Sequence, residues 1–299
     1  MFKIKTWISA ARLRTLPLSI SGILVGSSLG NHDFLKTAIF WLAIATTLGL
    51  QILSNFANDY GDGVKGTDND DRVGPQRAIQ SGAISRKAML NGIVATAIIT
   101  LCSAVLLIYV SFKENDFFYS VFYFFLGLSA IVAAMKYTMG TSAYGYKGLG
   151  DVFVFIFFGL VSVVGCFFLF TKRLDMLIFL PAISIGVLST AVLNLNNMRD
   201  YHSDKKVGKN TLVVKLGLPL ARIYHYSLLI VGMLSMTIYL FITYKSLINL
   251  VFLIAFIPLI IHIKKVVYTK DTALFDPELK KVALTTFLLS ILFSLSEIL

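Results

Sequence analysis

Two stretches of this chain set carboxylates and amides at helical spacing beside glycines and basic residues. The first, N-F-A-N-D-Y-G-D-G-V-K-G-T-D-N-D-D-R-V-G-P-Q-R, runs from Asn55 to Arg77 and follows an uncharged run from Thr37 to Ser54. Asp59 and Asp62 are three apart, and Asn55 and Asn58 precede them. A helix continued by one turn would point two amides and two carboxylates the same way. These are oxygen ligands for a hard cation such as Mg²⁺, which takes one or two protein carboxylates and completes its shell with water and substrate phosphates. Lys65, Arg72 and Arg77 could hold the remaining phosphate charge, and the glycines let the loop fold closely around such a group.

The second stretch repeats the design 141 residues later, counting Asp59 to Asp200, in L-N-L-N-N-M-R-D-Y-H-S-D-K-K-V-G-K-N from Leu193 to Asn210. Asp200 and Asp204 are four apart, one above the other on a helix, and Lys205, Lys206 and Lys209 follow. Two acid-tipped, basic-trailed helix ends suggest two metal-phosphate half-sites facing each other. Local ion pairing of Arg199 and Lys205 is the competing reading of the second.

The elements that must position these residues are membrane spans. At 57% hydrophobic and 14% charged residues, with a mean hydropathy of +0.78, the chain is too apolar for an ordinary soluble domain. Nine uncharged stretches begin at Thr15, Thr37, Ala88, Phe117, Val152, Met176, Ile223, Ser246 and Val282, and all but the last are 18 residues or longer. Lengths near 20 fit helices rather than barrel strands, so the expected fold is all-α and polytopic, with nine transmembrane helices. With the N-terminus in the cytoplasm, 22 of the 27 Lys and Arg residues fall on the cytoplasmic side, together with both acidic stretches. Much of the formal charge of +11 then reads as topology and contact with the lipid bilayer, and no nucleic acid partner is expected.

Other features have plainer readings. Lys3, Lys5, Trp7, Arg12 and Arg14 suit an amphipathic anchor at the interface, and the first apolar run lacks a clear signal-peptide cleavage site. Gly22 and Gly26 form a small-xxx-small pair for close helix packing. Between helices 4 and 5, K-Y-T-M-G-T-S-A-Y-G-Y-K-G-L-G-D from Lys136 to Asp151 makes a compact polar loop that could cover a site; its tyrosines also read as interfacial anchors, and Asp151 as an N-cap. Cys102 and Cys166 fall inside spans, the four histidines form no ligand set, and neither a nucleophile motif nor a P-loop is present.

The two acidic stretches resemble the UbiA superfamily of intramembrane prenyltransferases, whose marks are N-D-x-x-D after helix 2 and D-x-x-x-D after helix 6. Here these are Asn58-Asp59-Tyr60-Gly61-Asp62 and Asp200-Tyr201-His202-Ser203-Asp204. The fuller strings, with R-V-G-P-Q-R and G-Y-K-G-L-G-D-V-F-V-F, resemble the members that serve menaquinone formation. The pattern departs at Gly66, where a further acid is usual and Asp68 is the nearest substitute, and at Thr141, which breaks a Tyr-x-x-x-Lys element begun by Tyr137 and leaves Lys147 as the replacement.

The resemblance implies one domain over residues 1–299, nine helices around a central chamber in two pseudo-repeated halves, roughly 15–140 and 150–265, plus a final helix. It implies transfer of a polyprenyl group from polyprenyl diphosphate to 1,4-dihydroxy-2-naphthoate with loss of CO₂, at a site opening to the cytoplasmic side of the cell membrane. Asp59, Asp62, Asp68, Asp200 and Asp204 would hold Mg²⁺. Asn58, Lys65, Arg72, Arg77, Lys205 and Lys209 would bind diphosphate, and Asn55, Tyr137, Tyr144, Tyr146 and Asn197 the acceptor. Lys147 and Asp151 would orient or deprotonate that acceptor. The alternatives are another acceptor (4-hydroxybenzoate, homogentisate or a glycerol phosphate lipid) and a cation-coupled transporter, although the latter is expected to bury acids mid-span.

Overall fold

The computed structural model describes residues 2–67, 76–112 and 116–299, with side chains from residue 4 onward. Among the described residues, nine helical segments are long and apolar enough to cross a membrane. They are α1 (Ile4–Gly30), α2 (Ala38–Lys65), α3 (Arg86–Phe112), α4 (Phe117–Lys136), α5 (Gly150–Thr171), α6 (Met176–Arg199), α7 (Leu218–Thr243), α8 (Leu247–Tyr268) and α9 (Thr272–Ile298). Hydrocarbon offers no partner for a bare peptide group, and a helix satisfies every one internally.

Local signals set the ends that matter. Thr37 caps the start of α2 through the Phe40 amide. At its end the chain turns at Gly66, whose φ of 72° lies in the left-handed region that favours glycine. The helix thus runs through Asp59 and Asp62 to Lys65. The first span is broken. Arg12 takes a left-handed φ of 51°, separating a helix, Phe2–Ala11, from a second, Leu16–Gly30, that opens with Pro17. Trp7 of the leading helix stands edge-on to Phe56 of α2, ring centres 5.2 Å apart, and lies against Gly92 of α3.

The most buried span is α6, which packs against α5, α7 and α9. Small residues let the backbones close up. A Cβ on Gly159 of α5 would lie 2.7 Å from the Cα of Gly186 in α6. In α1, a Cβ on Gly22 would meet the Phe158 carbonyl at 2.9 Å, and one on Gly26 would meet the Val163 carbonyl and Cys166. The expected glycine pair therefore seats α1 on α5. Along this contact α5 is π-helical, from Phe155 to Gly165.

The last three spans are tied by polar side chains as well. His225 of α7 and His262 of α8 meet at 2.8 Å, and His262 Nδ1 lies 2.7 Å from Glu278 of α9. All three are buried. Read as scattered along the chain, two of the four histidines in fact share one interhelical chain of contacts.

Candidate active site

Both acidic stretches contribute to one chamber of about 430 Å³, whose charged lining gathers at the end beside Arg12 and Arg14. Its mouth is lined by Arg12, Arg14, Asn58, Asp62, Arg77, Asn196, Arg199, Asp200, Ser203, Asp204, Lys209, Asp276 and Lys280. Helical spacing explains the second set. Asn196, Arg199, Asp200, Ser203 and Asp204 recur at helical spacing across a turn at Asp200 into a short helix, Tyr201–Lys206, and the Asp204 amide donates to the Asp200 carbonyl at 2.8 Å. The walls are apolar, and the far end reaches Leu107, Tyr123, Cys166 and Leu169 near the opposite face.

The two half-sites meet at Lys209. Its ammonium lies 3.9 Å from Asp62 Oδ2 and 3.6 Å from Asp204 Oδ1. Burial alone would lower the lysine's pKa; Asp62, Asp204, Tyr146 and Asp200 outweigh it and hold the group above its ordinary range, so it stays charged. Burial first, then Asp200 and Asp62, push the Asp204 carboxyl up to about 6 against the opposing pull of Lys209. Asp204 Oδ2 is buried without a hydrogen-bond partner, as suits an oxygen that has a cation to meet.

Asp62 is held by the 140s loop: Tyr146 donates to its Oδ1 at 2.7 Å and is itself 2.8 Å from Thr67. Asp200 is held by Arg199, whose Nε and Nη2 donate to the two carboxylate oxygens at 2.8 and 2.7 Å.

Several expected roles change with these contacts. Asp59 is buried and turned from the chamber, accepting from the Ala78 and Ile79 amides at 3.1 and 3.3 Å; it fastens the return loop that carries Arg77. Asn58 and Asp62, four apart, are the pair that faces inward. Lys65 lies outside the lining because its ammonium donates to the Thr138 carbonyl at 2.7 Å and covers the Tyr146 ring. Tyr146, expected against the acceptor, orients Asp62 instead.

Lys147 is exposed and bonded to Ser142, and Lys205 is exposed beside Tyr201, so neither lines the chamber. Asp151 is buried behind the wall and interacts with Tyr224. Asn197 is buried off the lining, one residue from Asn196, which lines it. Tyr137 and Tyr144 do line the chamber, edge to face at 5.4 Å, with Tyr144 stacked on Phe153. Burial, then Asp151, Asp62 and Asp204, keep the Tyr137 hydroxyl protonated. Asp68 and Arg72 lie outside the described residues.

Arg12 and Arg14 enter the mouth from a tail that reads, in sequence, as an anchor. Asn55, expected against the acceptor, lines the chamber and also positions that tail: its Nδ2 donates to the Ala11 carbonyl at 2.9 Å and to Thr15 at 3.2 Å, bracketing the turn at Arg12. The only signal was two arginines directly before an uncharged span on the acidic side. Replacing Asn55 with Ala is expected to raise the KM for an anionic substrate held by these arginines about tenfold, since each lost bond is worth about 1 kcal/mol and tenfold is about 1.4. Steady-state kinetics in membranes, normalised to inserted protein, checks this; an unchanged KM would detach the arginines from substrate binding.

Among the described residues, seven of the nine spans, all but α7 and α8, line an acid-mouthed, largely apolar chamber, the layout of a membrane protein that handles a charged head and a greasy tail. The chain belongs to the UbiA prenyltransferase family, whose description matches residues 19–291. It is 42% identical over 296 residues to the 1,4-dihydroxy-2-naphthoate octaprenyltransferase of Haemophilus influenzae, covering 98% of this chain and 96% of that one. With the Escherichia coli protein of the same name it shares 39%, over 97% and 94% of the two chains. A UbiA homolog from Archaeoglobus fulgidus, solved bound to GPP and Mg²⁺, superposes with a TM-score of 0.68 over 98% of both chains at 16% identity, a likeness of fold.

Proposed function

We propose that this prenyltransferase moves a polyprenyl group from polyprenyl diphosphate to 1,4-dihydroxy-2-naphthoate, releasing diphosphate and CO₂. The observation that carries the reading is the meeting of Asp62 and Asp204 on one ammonium, at the mouth of an apolar chamber. The relatives' names supply the acceptor.

The donors fit a hard cation that is shared with a substrate. Asp204 Oδ2 is buried with no protein partner, an oxygen a hard cation could take up while phosphate oxygens complete its shell. Asn58, Asp62, Asp200 and Asp204 would hold Mg²⁺, which when bound neutralises charge on the departing diphosphate.

The chain's own groups do the rest. Arg12, Arg14, Arg77, Lys209 and Lys280 lie where phosphate oxygens would accept from them. Asp59 and Asn55 hold the two segments that carry Arg77 and Arg12. As the bond from the allylic carbon to oxygen breaks, its electron pair leaves with diphosphate, and the cation is stabilised in a chamber that excludes water. The ring carbon bearing the carboxylate attacks, and CO₂ departs from that carbon. Tyr137, kept protonated, can donate to an acceptor oxygen. The excess of Lys and Arg on the acid-bearing face supports placing that face in the cytoplasm of a bacterial cell membrane.

Membranes given dihydroxynaphthoate and a mixture of prenyl diphosphates should yield decarboxylated, prenylated naphthoquinol, identified by mass. Prenylation of 4-hydroxybenzoate or homogentisate instead would overturn the acceptor. Absence of any prenylated product would overturn the donor as well.

A further inference from the structure

Arg199 has a second carboxylate. While its Nε and Nη2 grip Asp200, its Nη1 donates to Asp276 Oδ1 at 2.5 Å, and Nη2 also reaches Asn196 at 2.9 Å. The Arg199 side chain is 2% exposed, whereas the Asp276 side chain is 38% exposed and stands near the start of α9 on the chamber's rim. One buried cation is therefore divided between a carboxylate of the second acidic motif and one from the last helix, 77 residues away.

We propose that Asp276 is a positioning residue of the diphosphate site: by sharing Arg199 it lets Asp200 release the guanidinium and take up a divalent cation. The inference rests on reading Asp200 as an oxygen donor to that cation. A buried arginine stripped of its counter-ion is strongly unfavourable, so Asp200 can turn to a metal only if Arg199 keeps another partner. Asp276 is that partner. Its contact uses the guanidinium edge that Asp200 leaves open, so the arginine stays seated while its load shifts. The arrangement also fixes the Asp200 rotamer before a cation arrives, the service outer-shell groups give to metal ligands.

The test uses full-length protein in detergent, titrated with Mn²⁺ alone and read by electron paramagnetic resonance. Asp276→Asn should weaken Mn²⁺ binding about tenfold or more, as outer-shell substitutions do, and Asp276→Glu should restore most of it. Asp276→Ser provides the same loss should the asparagine variant assemble poorly. In an Arg199→Gln background, Asp276→Asn should have little further effect.

Wild-type affinity in both Asp276→Asn and Asp276→Ser, beside lost binding in Asp200→Asn, would overturn the proposal. So would an undiminished effect of Asp276→Asn in the Arg199→Gln background, which would make its charge act directly. Failure of the underlying reading looks different: Asp200→Asn would then bind Mn²⁺ like wild type.

Discussion

Asp204→Asn is expected to lower prenyl transfer by roughly a hundredfold to a thousandfold, the loss typical of removing one preorganised contributor to charge stabilisation, here the cation that Asp204 would hold against the departing diphosphate. The side chain is buried, its Oδ1 is 3.6 Å from Lys209, and its Oδ2 has no protein partner. An amide of the same size keeps the packing and removes the charge. Assembly should survive, because a neutral amide is easier to bury than a carboxylate already pushed up to about 6. Lys209 keeps Asp62 as a counter-ion. The deficit should therefore appear in kcat at an unchanged melting temperature. Asp59→Asn should do less, because Asp59 acts by holding the Ala78 and Ile79 amides, and an asparagine oxygen still accepts from one of them. Turnover assays on matched amounts of inserted protein separate the two; near-normal activity in Asp204→Asn, or equal losses in both variants, would refute the division of labour.

A second large effect is expected far from the acids. Gly26→Val should prevent most of the protein from assembling, since the new Cβ would run into the Val163 carbonyl and the Cys166 side chain. A backbone carbonyl cannot change rotamer to make room. Overpacking of this kind costs about 1–3 kcal/mol even where neighbours can shift. Here relief requires the Leu16–Gly30 part of α1 to leave α5, and Arg12 and Arg14 lie at the turn just before it. Gly127→Ala is the control, because its Cβ would find Ala104 at an ordinary 3.8 Å. Size-exclusion profiles and melting curves in detergent should show Gly127→Ala assembled and Gly26→Val largely aggregated. A monodisperse Gly26→Val with a normal melting temperature would mean that this crossing is not what seats α1.

The spans were legible because lipid imposes a length and a composition that no other element satisfies. The acids were legible as a set because charge at a helix end beside hydrocarbon is costly. Which carboxylate faces inward was not, because Asp59 and Asp62 share one helix, and the choice is made by a loop returning 19 residues later to offer its amides to Asp59. The same holds for Arg199, whose second partner is 77 residues on. Lys65, Lys147 and Lys205 failed differently. Each sits in the right segment, but a four-carbon stem carries its charge to the nearest carbonyl, hydroxyl or ring instead of the chamber. Asn196 and Asn197 show the finest limit, since neighbours on a helix point about 100° apart and composition cannot choose between them.

The turn at Arg12 has a practical corollary at the bench. Residues 2 to 11 form a strap, buckled by Trp7 over Gly92 and by Asn55 over Ala11, with two arginines of the reaction chamber at its inner end. Loosening either buckle, as Trp7→Ala would, should therefore be felt at the chamber's mouth although the substituted ring never touches it.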